Sequence, residues 1–211
     1  TSNAATLTVN ESEFVSAPTS VSPFIDTDTS KTLSRQPVIS TSAFVSEYAG
    51  STHKATFWRI RRVSDNVTVY DTSNTLPNGD ENNKTSLTVP AATLDFDVTY
   101  SVQVKFRDNS DLESSYTAAV SFTTPFVDQP DIQTITPAFN PTINVDPIAL
   151  KSGYQHSSSD WQFSPADTFA NIVHQSLGNS TNLTSYTLPG AVNLSANTTY
   201  YVRIRFNVNP T

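Results

Sequence analysis

The segment Tyr100-Ser-Val-Gln-Val-Lys-Phe106 returns 100 residues later as Tyr200-Tyr-Val-Arg-Ile-Arg-Phe206, with five of seven positions identical or conservatively changed. A period of that length is far longer than the roughly 20–50 residues of a solenoid repeat and matches one whole β-sandwich of roughly 100 residues. A chain of 211 residues therefore has room for two such units, each long enough to bury its own core.

Other anchors recur around this strand. A Leu, a short polar turn and a Thr lead into each copy, Leu94 to Thr99 and Leu194 to Thr199. Upstream, His53-Lys-Ala-Thr-Phe-Trp58 aligns with His156-Ser-Ser-Ser-Asp-Trp161, and the chain's 2 Trp both fall at these places. Leu87-Thr-Val-Pro90 and Tyr186-Thr-Leu-Pro189 lie between the anchors, each an alternating stretch ended by a Pro that cannot donate to a central ladder. Ala4-Ala-Thr-Leu-Thr-Val9 resembles Ala118-Ala-Val-Ser-Phe-Thr123, and Phe14-Val15 resembles Phe126-Val127. The expected layout is then a closing strand of a preceding module with its linker (residues 1–12), a first sandwich (13–125), and a second (126–211) that lacks its own closing strand.

Period-2 alternation assigns faces. Tyr100, Val102, Val104 and Phe106 share one face, with Ser101, Gln103, Lys105 and Arg107 on the other. In the Trp58 strand, Thr56, Trp58 and Ile60 are expected inward, and Phe57, Arg59 and Arg61 outward. Turn sequences at Pro77-Asn-Gly79, Asp108-Asn-Ser-Asp111 and Leu177-Gly-Asn-Ser180 separate strands, Pro18, Pro23, Pro130, Pro137 and Pro141 stiffen the module entrances, and helix is limited to one turn near Pro165 to Ala170. The fold class is all-β: two tandem Greek-key sandwiches.

Composition narrows the function classes. With 0 Cys there are no disulfides, thiolate metal sites or Cys nucleophiles. A net charge of −7 with only 15% charged residues argues against nucleic acid as partner. No run of roughly 18 apolar residues and no signal-peptide pattern is present. The missing initiator Met fits a fragment of a larger polypeptide. Asn-x-Ser/Thr sequons at Asn10, Asn66, Asn83, Asn179, Asn182, Asn193 and Asn197 are the chance product of a chain rich in these residues.

The His-to-Trp spacing, Leu183-Thr-Ser-Tyr-Thr-Leu-Pro189 and Asn197-Thr-Thr-Tyr-Tyr-Val-Arg-Ile-Arg-Phe206 together resemble fibronectin type III and immunoglobulin-like repeats, of the kind found in tailed-bacteriophage structural proteins and bacterial surface proteins. The resemblance covers residues 14–211 and is stronger in the second copy. It implies a spacer, a decoration or a tail-fibre segment, with neighbouring modules and other virion proteins as partners, a host-surface glycan as a further one, and a homo-oligomer compatible with fibre architecture.

Groups able to carry chemistry are few. His53 and His156 have no carboxylate placed to share an ion, Asp160 being too far along an extended strand from His156, and their repetition marks them as architectural. His174 stands alone. Asp26 with Asp28, and Asp108 and Asp111 with Glu113, offer oxygens of the type Ca²⁺ accepts, but without EF-hand spacing, so turn chemistry explains them. Asp128 and Asp131 flank Pro130 at the expected junction, where a cation would cross-link modules, though a solvated linker is the plainer reading. Arg59, Arg61, Lys105 and Arg107, repeated by Arg203 and Arg205, form a stripe that would attract acidic glycans if left unpaired. The first copy is read as carrying an inserted polar loop, Asn74 to Thr85, a natural place for grafted binding, with Tyr48, Tyr70 and Tyr116 as candidate sugar-stacking aromatics. No triad and no convergent carboxylate pair can be assembled. Catalytic, cofactor and metal residues are accordingly all expected to be none, and the chain is expected to be a non-enzymatic virion segment, or else a bacterial adhesin or the spacer region of a secreted glycan-active protein.

Overall fold

A computed structural model describes residues 15–23, 32–136 and 138–211. The expected closing strand in residues 1–12, and Asp26 and Asp28, lie outside the described residues. The chain runs β1 (Val21–Ser22), β2 (Val38–Thr41), β3 (His53–Arg62), β4 (Thr68–Asp71), the single turn α1 (Thr72–Thr75), β5 (Ser86–Thr88), β6 (Thr99–Asp108), β7 (Val120–Thr123), β8 (Ile132–Ile135), β9 (Thr142–Val145), β10 (Tyr154–Ser164), β11 (His174–Asn179), β12 (Ser185–Thr187) and β13 (Tyr201–Pro210). It divides into two units between Thr124 and Pro125.

In the first unit a three-stranded sheet of order β1-β2-β5 faces a four-stranded sheet of order β4-β3-β6-β7. The named strands pair antiparallel throughout, and the chain passes from one sheet to the other between β2 and β3, α1 and β5, and β5 and β6, as a Greek key does. The register sets Trp58 opposite Val104 and Ile60 opposite Val102. Strict alternation along β6 then buries Tyr100, Val102, Val104 and Phe106 completely; the first three share a core with Ile39, Leu87 and Val89 of the facing layer, while Phe106 packs on Phe44 and His53. Each such side chain contributes about 1.5–3 kcal/mol by leaving water.

The second unit repeats the plan with one strand fewer among the described residues. A sheet of order β12-β9-β8 faces one of order β11-β10-β13, around Ile143, Trp161, Phe163, Tyr186, Leu188 and Phe206. Where β6 is flanked by β3 and β7, its counterpart β13 pairs with β10 on one side only among the described residues.

Two local expectations are corrected. Residues 165–170 make a turn closed by Phe169 N–H to the Ala166 carbonyl (3.0 Å), not a helix. The helical turn is Thr72–Thr75, because Asp71 caps it by accepting from Ser73 N–H. Phe57, expected outward, is only 2% exposed. The loop after α1 folds over it: Thr56 and Asp80 exchange backbone bonds of 3.1 and 2.9 Å, and Gly79 lies so close that a Cβ there would stand 3.2 Å from the Phe57 ring. Lys105 and Arg107 lie over the same ring at 4.5 and 5.1 Å.

Candidate functional site

His53 and His156 sit in the same hydrogen-bonded clamp, built once per module. In the first, His53 Nε2 is 2.8 Å from Thr56 Oγ1, which donates to the Lys84 carbonyl at 2.5 Å, while Trp58 Nε1 donates to the Asn83 carbonyl at 2.8 Å. In the second, His156 Nε2 is 2.9 Å from Ser159 Oγ, which donates to Leu183 at 2.6 Å, and Trp161 Nε1 donates to Asn182 at 2.9 Å. Because each hydroxyl spends its proton on a carbonyl, it accepts from the imidazole, so Nε2 carries a hydrogen in both copies. Phe106 and Phe206 close over the two imidazoles edge-on, at 4.6 and 4.5 Å. Burial pulls both His pKa values below the ordinary value; Lys84 adds to this at His53 while a backbone hydrogen bond at Ala55 opposes it. A histidine held this way fixes the stretch before β5 or β12 against β3 or β10.

The clamp's other half is an acceptor turn. Asp80 Oδ1 accepts from Asn82 and Asn83 N–H at 3.0 and 2.8 Å, and Asn179 Oδ1 accepts from Thr181 and Asn182 N–H at 3.0 and 2.7 Å. Gly79 and Gly178, one residue earlier, both have positive φ, 86° and 61°. Residues 79–85 are therefore common to both modules, and only the α1 region before them is extra in the first. The sequence carried this as Gly-(Asp/Asn)-x-x-Asn-x-Thr-Ser at a spacing of 99 residues, which the reading of an inserted loop at Asn74 to Thr85 missed.

Four cations of the stripe, Arg59, Lys105, Arg107 and Arg205, are each paired with a carboxylate. Arg59 Nε donates to Asp71 at 2.8 Å and its guanidinium stacks on Tyr116 at 4.1 Å. Glu113 takes both Lys105 and Arg107, the latter at 2.5 Å. Burial alone would raise the Asp71 and Glu113 pKa values, but Ser73 and Arg59 around the first, and Lys105 and Arg107 around the second, hold both below the ordinary range. In the second module Arg205 pairs with Asp160 at 2.5 Å, Arg203 donates to Gln162 at 2.8 Å, and a groove of about 470 Å³ runs between these side chains and Leu177.

The remaining candidates are dispersed. Asp108 is fully buried and closes its turn by accepting from Ser110 and Leu112 N–H, both at 2.9 Å. Asp111 pairs with Lys54 at 2.7 Å, and Asp131 accepts from Gln133 at 3.2 Å. Asp128 is tied through its backbone to Ala149 at 2.9 Å. Among the described residues no group of three His, Asp or Glu could hold a metal ion. His174 is 2.7 Å from the Tyr186 hydroxyl and stacks on that ring. Of the three candidate tyrosines, Tyr48 is 56% exposed, whereas Tyr70 packs against the core and Tyr116 lies under Arg59 and Lys105. Sequence reasoning singled out Tyr100 and Tyr200 as repeat positions but missed the role of their hydroxyls, which accept from Asp95 and Ser195 N–H at 2.9 and 3.0 Å and lock the turns entering β6 and β13.

Two serial sandwiches with these sheet orders and a tyrosine-locked turn in each define the class: an all-β tandem of the fibronectin type III and immunoglobulin-like kind. No protein family and no curated protein matches the sequence. Among solved structures, the FN1–FN3 domains of chicken CNTN1 superpose with a TM-score of 0.38 at 14% identity, covering 90% of this chain. The match spans 58% of that chain.

Proposed function

We propose that this chain is a structural segment of a virion, a pair of sandwich modules in a tail or head fibre or decoration that spaces or presents a distal part toward the host. The observation that carries this reading is the clamp built twice: the candidate histidines and most of the charged stripe are spent on making the same module again, which is what a serial spacer requires. The resemblance of Asn197–Phe206 and the His-to-Trp spacing to repeats of phage structural proteins and of bacterial surface proteins supports a serial spacer module, and of those two settings the virion is the one proposed. Partners on this reading are adjoining modules and other virion proteins, with Tyr48, the exposed one of the three candidate tyrosines, offered to a host glycan.

Immunogold electron microscopy tests it, with antibody raised against residues 14–211 and applied to phage particles and to intact cells from the source material. Label at fixed positions on particles is the expected result. Label confined to cell envelopes overturns the reading in favour of a bacterial surface adhesin or spacer.

A further inference from the structure

The loop that follows α1 holds the one Asn-Gly dipeptide of the chain, Asn78-Gly79. The second module keeps the glycine as Gly178 but has Leu177 before it. Packing demands Gly79, since its φ is +86° and a Cβ there would stand 2.8 Å from that of Ala55. Asn78 is under no such demand. It is exposed, and its side-chain carbonyl receives a long bond of 3.4 Å from Arg107. Asn109 and Asn179, each followed by Ser, are held more firmly. Asn109 Oδ1 accepts from Thr52 N–H at 2.9 Å, and Asn179 Oδ1 from Thr181 and Asn182 N–H at 3.0 and 2.7 Å.

A glycine after an asparagine presents a backbone nitrogen that no side chain hinders, so that nitrogen can reach the asparagine Cγ. Arg107 is aimed at the oxygen on which charge then develops. Its Nε and Nη2 are spent on Glu113, at 3.0 and 2.5 Å, which leaves Nη1 directed at Asn78 Oδ1. A cation so placed stabilises the tetrahedral intermediate of attack at Cγ. One bond opposes the reaction: Gly79 N–H donates to the Leu76 carbonyl at 2.8 Å and must let go before the nitrogen attacks. Just beyond it the chain is pinned where Asp80 and Thr56 exchange backbone bonds. Only the surface turn from Leu76 to Gly79 has to open, a local event far cheaper than global unfolding.

We propose that Asn78 is a self-modification site, at which the side-chain amide is converted to an acid at a pace set by opening of this turn. Gly79 N bonds to Asn78 Cγ, the Cγ–Nδ2 bond breaks, and ammonia leaves with the Gly79 proton. Water then opens the resulting imide ring, on the Cγ side to give aspartate or on the main-chain side to give isoaspartate. Either product adds a carboxylate next to Arg107, in competition with Glu113. Isoaspartate also lengthens the main chain by one carbon beside Gly79, where the loop lies on Phe57. The second module, with Leu177 in this place, has no amide to lose. The inference rests on the chemistry of the loop and stands independently of the virion reading.

Incubation of the folded 211-residue chain at mildly alkaline pH tests this, read by peptide mapping with mass spectrometry and by enzymatic methylation of isoaspartate. Asn78 is expected to convert ahead of every other Asn, Asn109 and Asn179 included, and several-fold more slowly than in a free peptide of residues 74–85, where no turn has to open. Asn78→Gln is expected to abolish the isoaspartate signal, because its larger ring closes far more slowly. Arg107→Gln, shown to be folded by circular dichroism, is expected to slow conversion several-fold once the rate is divided by Gly79 amide exchange, which reports turn opening. A folded chain in which Asn78 stays an amide, in which it converts as fast as in the peptide, in which another Asn leads, or in which Arg107→Gln leaves the divided rate unchanged overturns the proposal.

Discussion

Trp58 and Trp161 show how much of each module one side chain holds. Each is fully buried yet spends its single N–H on a carbonyl of the stretch before β5 or β12. Trp58→Ala is expected to cost about 3–5 kcal/mol. Trp58→Phe keeps much of the bulk but leaves the Asn83 carbonyl without its donor, and should cost about 1–3 kcal/mol, measured by urea denaturation; an unchanged midpoint for the Phe variant would remove the clamp from the account. The neighbouring histidines add a dependence on pH. His53, His156 and His174 have folded pKa values lowered by burial, so below about pH 6.5 the unfolded chain takes up protons that the native state resists. Their contribution is fully present above that value and is lost as pH falls. Stability is thus expected to drop between pH 7 and 5, and the drop to be shallower in His53→Gln/His156→Gln, where the amide N–H still reaches the hydroxyl. Denaturation midpoints across that range read the slope, and an unaltered slope in the variant contradicts the assignment.

At the scale of elements, alternation along β6 was legible because one face of the strand lies on the core, so that every second residue from Tyr100 to Asp108 is buried. The adjacent β3 obeyed the rule only in part. Period 2 reports which face a residue takes, not whether another loop covers that face, and the turn through Gly79 covers Phe57. Gly79→Ala tests this: the residue has φ of 86° and its added Cβ would come 2.8 Å from that of Ala55. A loss of about 1–3 kcal/mol is expected, with Gly178→Ala milder because nothing lies within 4 Å of its Cβ position. The charged stripe was read correctly as a feature of the outer face. Its neutralisation by Glu113 was not legible, because nothing in Asp108-Asn-Ser-Asp-Leu-Glu113 says that the loop returns along β6 to pair with Lys105 and Arg107. Wild-type protein should therefore pass through a heparin column near physiological salt, whereas Glu113→Ala, which exposes two unpaired cations, should be retained to higher salt. Equal elution of the two would show that the stripe is not masked by this carboxylate.

The whole molecule was legible to the extent that it repeats. A 100-residue period, two Trp and paired Leu-to-Tyr turns are visible in one dimension, and they fix an all-β tandem before any contact is known. The clamp was visible only as isolated matches, since its partners lie 21 to 28 residues apart in sequence and the Gly-(Asp/Asn) turn that links them is short and polar. What the account claims above all is that the two units are separate, serial modules suited to spacing. Single-molecule force spectroscopy on the full chain tests this most directly. The account predicts two distinct unfolding events, residues 15–124 releasing at most roughly 40 nm of chain and residues 125–211 at most roughly 31 nm at up to about 3.6 Å per residue, with Trp161→Ala abolishing only the shorter one. A single event spanning both units, or the loss of both on that one substitution, would contradict it.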